Sequence, residues 1–94
     1  MAVDTTYIWG TGRRKSAVAR VRIKPGTGAF KVNAREFAEY FPRIDHQTEA
    51  VSPLRDTDAV KRFDVFVNVD GGGKSGQAGA VRMGLARALC KVDE

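Results

Sequence analysis

The stretch RFDVFVNVDGGGKSGQAGAVRMGLARALCK, residues 62–91, changes its period in the middle, and that change decides the fold. Phe63, Val65, Val67 and Val69 alternate with more polar neighbours, the two-residue period of a strand with one buried face. This predicts a strand over Arg62–Val69, with Phe66 interrupting the polar side and open to burial on both faces. Asp70-Gly71-Gly72-Gly73-Lys74-Ser75-Gly76 then reads as a glycine-rich loop. From Gln77 to Lys91, Ala78, Val81, Leu85, Ala88 and Leu89 recur at the spacing of an apolar helix stripe. Gly76, Ala80, Gly84 and Ala88 add a row of small residues four apart. Such a row lets a helix lie close against a sheet, at a propensity cost of about 1 kcal/mol per interior glycine.

Upstream, Tyr7–Gly10 is a short β-prone run ending in an expected loop, Gly10-Thr11-Gly12. From Ser16 to Lys24, Ala17, Ala19, Val21 and Ile23 point one way, while Ser16, Arg20, Arg22 and Lys24 point the other. That is a strand with a buried face and a basic face, broken on the basic side by Val18. Pro25-Gly26-Thr27-Gly28 is a turn by composition, and Ala29–Val32 is expected to return as the second arm of a hairpin, with Phe30 and Val32 inward. Asn33-Ala34-Arg35-Glu36 resembles a capped helix start leading into Phe37, Tyr40 and Phe41, stopped by Pro42. A short helix is expected around Gln47–Val51, with Ser52-Pro53 opening another turn. The sum is an α+β two-layer sandwich: a mostly antiparallel four-stranded sheet with helices on one face.

The chain has 94 residues, one domain by length, and 43% of them are hydrophobic, enough for a thin core and too many for a disordered tail. No apolar run approaches the ~18 residues of a membrane span, and Met1–Thr6 lacks the pattern of a signal peptide. The single cysteine, Cys90, has no internal partner for a disulfide, which suits a reducing compartment, the cytoplasm by default. The net charge of +5 is uneven. Residues 1–33 hold seven Lys/Arg against one Asp, residues 34–70 five against eight acids, and residues 71–94 four against two. An uneven basic surface fits a polyanion, nucleic acid being the commonest; a merely cationic soluble domain fits charge alone equally well.

Two loops carry candidate chemistry. Gly71-x-Gly73-x-x-Gly76 matches a dinucleotide fingerprint between a strand and a helix, but no second parallel strand carries an acid for the ribose, although Asp93 and Glu94 stand at roughly the right distance. Gly73-Lys74-Ser75 imitates a P-loop, yet Asn68 occupies the position that motif reserves for glycine. A nucleotide-binding domain is therefore the weaker alternative. What remains is a phosphate cradle of loop amides and a helix N-terminus, with Lys74 and Ser75 adding side-chain donors, or simply a sharp turn that needs glycine for φ > 0. The second loop, Gly10-Thr11-Gly12-Arg13-Arg14-Lys15-Ser16, places three successive cations after two glycines, and Arg20, Arg22 and Lys24 extend the stripe. Tyr7, Trp9 and Phe66 are either core or base-stacking residues. His46 is expected at the surface or as a cap, with no metal spacing around it, and Cys90 as a small buried hydrophobe. Asp56, Asp58 and Asp64 form no visible acid–base couple, so no catalytic residue is assigned.

Taken together the two loops resemble a family. Tyr7-x-x-Gly10-Thr11-Gly12-Arg13-Arg14-Lys15-x-Ala17-x-Ala19-Arg20-Val21 is similar to the opening of the ninth protein of the small ribosomal subunit. Gly71-Gly72-Gly73-x-x-Gly76-Gln77-Ala78-x-Ala80-x-Arg82, followed by Arg87-Ala88-Leu89, is similar to its second hallmark. Tyr40-Phe41, Ser52-Pro53-Leu54 and the Phe63–Val69 strand fall between them in family order. The resemblance implies a left-handed β-α-β crossover, no cofactor, no catalysis and no homo-oligomer. It implies contacts to small-subunit ribosomal RNA and to neighbouring proteins of the subunit head. Family members continue into a basic C-terminal tail that reaches the peptidyl-site tRNA; the sequence stops at Glu94, so that contact is not expected of these residues. The expected RNA-binding positions are Gly10, Thr11, Gly12, Arg13, Arg14, Lys15, Ser16, Arg20, Arg22, Lys24, Gly71, Gly72, Gly73, Lys74, Ser75, Gly76, Gln77 and Arg82.

Overall fold

A computed structural model describes residues 7–57 and 61–92. Met1–Thr6, Asp58, Asp93 and Glu94, on which parts of the sequence reading fell, lie outside the described residues. The elements run β1 (Ile8–Arg14), β2 (Ala17–Pro25), β3 (Phe30–Val32), β4 (Arg35–Glu36), α1 (Phe37–Tyr40), α2 (Ile44–Asp56), β5 (Phe63–Asp70) and α3 (Lys74–Val92). They form one sheet in the order β1-β2-β5-β3-β4. The α+β reading holds, with two differences: among the described residues there are five strands, β4 being only two residues, and the sheet is mixed because β3 runs parallel to β5.

The alternation read from the sequence sets the two faces. Ala17, Ala19, Val21 and Ile23 of β2 and Phe63, Val65, Val67 and Val69 of β5 all turn toward the helices, joining Ala50 and Leu54 of α2 and Ala78, Ala80, Val81, Leu85, Ala88 and Leu89 of α3 in one apolar cluster. Gly10 and Gly12, expected in a loop, instead sit mid-strand in β1 at its two buried positions. A Cβ on Gly12 would collide with the Ala80 carbonyl oxygen, and one on Gly10 with the Gly84 carbonyl oxygen. These glycines therefore admit the backbone of α3, and the small-residue row of the helix is their counterpart.

The expected β2–β3 hairpin is not formed. After Pro25 the chain wraps around the start of β5, because Asp64 Oδ1 accepts the N–H groups of Thr27 (3.0 Å), Gly28 (3.2 Å) and Ala29 (3.0 Å). β3 thus emerges on the far side of β5, and α1 and α2 lie in the connection between that parallel pair. Asn33-Ala34 is not a helix start either. Both residues have positive φ (51° and 66°), the signature of a tight hairpin turn between β3 and β4. The Asn33 side chain bonds β5, donating to the Val69 carbonyl and accepting the Val69 N–H, each at 2.9 Å.

The expected short helix at Gln47–Val51 is longer, and Pro53 lies inside it rather than opening a new turn. Proline removes the N–H that the Glu49 carbonyl would have accepted, and the Ser52 hydroxyl donates to that carbonyl instead (2.9 Å). α3 starts three residues earlier than expected, since Gln77 N–H already donates to the Gly73 carbonyl (2.9 Å). Cys90 is exposed rather than buried.

Candidate nucleic-acid interface

The β1–β2 connection is a two-residue turn, Lys15-Ser16, with Lys15 at φ 57°. Antiparallel pairing of Val18 with Asp70 brings this turn beside the glycine loop that follows β5. The approach is close: a Cβ on Gly71 would run into the Ser16 carbonyl oxygen, and one on Gly72 would lie 3.2 Å from Ser16 Oγ. Gly71 and Gly72 also have positive φ (81° and 64°), a region that suits glycine. Gly73 has neither constraint, with open space where its side chain would be. The two motifs that were far apart in sequence are thus one surface.

From that surface α3 rises. Its first turn holds Lys74, Ser75 and Gly76 and no acid, so the partial positive charge of the helix end is not neutralised there. Lys74 Nζ sits 4.4 Å from the centre of the Tyr40 ring. Gln77 is buried, and its amide is fully engaged: Nε2 donates to the Gly71 carbonyl (3.1 Å) and Oε1 accepts the Tyr40 hydroxyl (2.7 Å). It fixes the loop from beneath instead of facing outward. Gly76 is buried as well.

The basic triplet does not act as a unit. Arg13, like Thr11, lies exposed on the face of the sheet away from the helices, and Lys15 is exposed in the turn. Arg14 turns to the opposite side, crosses Gly79 of α3 and pairs with Glu49 (2.7 Å). Arg82 reaches the same carboxylate at 3.4 Å. Glu49 therefore occupies two of the expected RNA ligands.

Arg20, Arg22 and Lys24 project from β2 onto the same face as Arg13. Among the described residues, Arg13, Lys15, Arg20, Arg22, Lys24 and Lys74 form no ion pair. The three N–H groups donated to Asp64, Ala29's first, hold its carboxyl below the ordinary value of 3.8, with Lys24 adding attraction and partial burial opposing.

Sequence reasoning missed Asp64, Asn33 and Glu49 as organising residues. Asn33 carried a usable signal, since Asn tolerates positive φ in a two-residue turn; the other two depend on contacts distant in sequence. Asn68 lies within β5, leaving only Gly71–Gly73 between strand and helix, too short a connection to wrap a nucleotide phosphate chain as a P-loop does. His46 is half-buried on α2 with its ring edge-on to Phe41 at 6.4 Å. Among the described residues no group of His, Cys, Asp and Glu could hold a metal ion, and no helix is long and apolar enough to cross a membrane.

Residues 12–94 match the family described as ribosomal protein S9/S16. The chain is 52% identical over 89 residues to the small ribosomal subunit protein uS9 of Thermotoga neapolitana, covering 92% of this chain and 66% of that protein. It is 53% identical over 85 residues to the uS9 protein of Thermus thermophilus, covering 90% and 66%. It is also similar to the small ribosomal subunit protein uS9m of Arabidopsis thaliana, 48% identical over 86 residues, covering 92% and 20%. The chain thus spans less than two-thirds of the length of each of these relatives.

Proposed function

Since this chain belongs to the ribosomal protein S9/S16 family, we propose that it is a structural constituent of the small ribosomal subunit that binds ribosomal RNA and catalyses no reaction. The observation that carries this reading is the merger of the Lys15-Ser16 turn with the Gly71–Gly73 loop. At that junction the free N–H groups of the first turn of α3, the hydroxyls of Ser16 and Ser75 and the ammonium groups of Lys15 and Lys74 offer donors to one phosphate-bearing ligand. Glycine at 71–73 keeps the loop low enough for a backbone phosphate to approach. Arg13 and the β2 cations extend the positive field along the sheet.

In this reading Gly10, Gly12, Arg14, Gln77 and Arg82 act by positioning β1, the loop and α3. The chain works in the cytoplasm on ribosomes, beside other proteins of the subunit head, without a cofactor or a second copy of itself. Sucrose-gradient sedimentation of a tagged chain expressed in bacterial cells tests the proposal: the tag is expected in the small-subunit fractions. A tag confined to the ribosome-free top of the gradient would contradict it.

A further inference from the structure

One face of the sheet carries no helix among the described residues, and its side chains are unlike an ordinary solvated face. Strand register lays Trp9, Arg22, Phe66 and Lys31 in a single row across β1, β2, β5 and β3. The Arg22 guanidinium lies 5.7 Å from the Trp9 ring centre and 5.2 Å from each of the Phe66 and Tyr7 ring centres. Tyr7 stands edge-on to Phe66 at 6.1 Å. Trp9 nevertheless keeps 45% of its surface exposed, an unfavourable position for an indole in water. Beside Phe66 the sheet is indented by a depression of about 340 Å³, on whose rim stands the exposed side chain of Asn68.

The charge around these rings favours one occupant. Arg13, Arg20 and Lys24 lie on the same face around the row, while of the acids there the carboxyl of Asp64 is taken up by the 27–29 amides and Glu36 is paired with Lys31, leaving Asp70 at the far end of β5. Flat aromatic faces interleaved with unpaired cations match an unpaired nucleotide strand: rings stack on bases, cations take phosphates, and an exposed amide such as Asn68 can hydrogen-bond a base edge. A protein partner would more often meet a face with mixed charges, and a duplex offers no free base faces.

We propose that this helix-free face binds a short single-stranded RNA segment, with unpaired bases stacking on Trp9 and Phe66 and phosphates held by Arg20 and Lys24. It is a second RNA surface, distinct from the junction of the two loops, and it rests on the reading that the chain binds RNA. Trp9 is the only tryptophan, so its fluorescence reports directly on the site.

The test titrates the chain with an unstructured eight-nucleotide RNA and, separately, with an RNA hairpin whose paired strands are joined by a non-nucleotide linker, so that no base is unpaired. The oligonucleotide is expected to quench Trp9, and the hairpin much less. By anisotropy of labelled RNA, Trp9→Leu and Phe66→Leu are each expected to weaken oligonucleotide binding about tenfold or more, the scale of one lost base stack, and to leave hairpin binding unchanged. The quench needs no variant, so it stands even if a substitution disturbs folding. Oligonucleotide binding without a quench would overturn the proposal, as would hairpin binding without oligonucleotide binding, the result expected if a protein covers this face. Failure of both RNAs to bind would overturn the RNA-binding reading as well.

Discussion

Three consecutive glycines, Gly71, Gly72 and Gly73, look equivalent in the sequence but are not. Gly71 combines positive φ with a backbone oxygen in the place a Cβ would take. Gly71→Ala is therefore expected to destabilise the fold by at least about 1–3 kcal/mol, seen as an earlier midpoint in urea. Gly73 has neither restriction and only precedes α3 as its capping residue, so Gly73→Val is expected to cost no more than about 1 kcal/mol yet to weaken RNA binding by crowding the loop surface. Equal losses of stability at the two positions would refute this distinction. Asp64 is a second sharp case. Asp64→Ala leaves three N–H groups without their acceptor and is expected to cost about 1–3 kcal/mol at pH 7. Its carboxyl titrates below the ordinary 3.8 in the folded chain, so its stabilisation is complete above that value and is lost as pH falls through the lowered one. The gap in stability between the natural chain and Asp64→Ala, measured by denaturant unfolding, should thus be present at pH 7 and shrink on strong acidification; a gap independent of pH would contradict the role given to Asp64.

The packing of α3 on β1 rests on missing side chains. Gly12 of β1 and Gly84 of α3 are mutually close, and a Cβ on Gly84 would stand 3.0 Å from Gly12 N and 2.8 Å from Val21 Cγ2. Gly84→Val must push the helix off the sheet, and the expected loss is about 1–3 kcal/mol, read from a thermal melt; an unchanged melting temperature would mean the contact is looser than described. The elements that were legible are those whose own residues set their period: β2, β5 and α3 announce themselves by alternation or by an apolar stripe. The elements that were misread are set by partners elsewhere. Nothing between Pro25 and Val32 tells that Asp64 will gather that loop and send β3 past β5. The helix Ile44–Asp56 runs on through Pro53 with Ala50 and Leu54 buried against the rest of the core, and the Ser52 hydroxyl donates to the carbonyl that proline leaves free. Gly10 and Gly12 read as a loop, because nothing beside them in the sequence tells that the backbone of α3 lies against them.

Across the whole molecule, the pairing β1-β2-β5 brings Arg13, Arg20, Arg22 and Lys24 to one face of the sheet and sets Lys15 beside the α3 start, while three of the eight acids of the middle segment are engaged within the fold: Glu49 on Arg14 and Arg82, Asp64 on the loop amides, Glu36 on Lys31. The binding surface was legible as two loops, because glycines and cations cluster in the sequence. That the loops touch, and that Arg14, Gln77 and Arg82 are engaged with protein partners, depended on the fold. The central claim is that the joined loops bind RNA phosphates, and it is tested most directly by the salt dependence of binding to a structured fragment of small-subunit ribosomal RNA. Association constants measured over a series of salt concentrations should fall steeply, and a Lys15→Ala/Lys74→Ala double variant should lower the slope of log K against log salt by about 1–2, one unit or a little less for each phosphate contact removed. A flat dependence, or a slope unchanged by the double variant, would contradict the account.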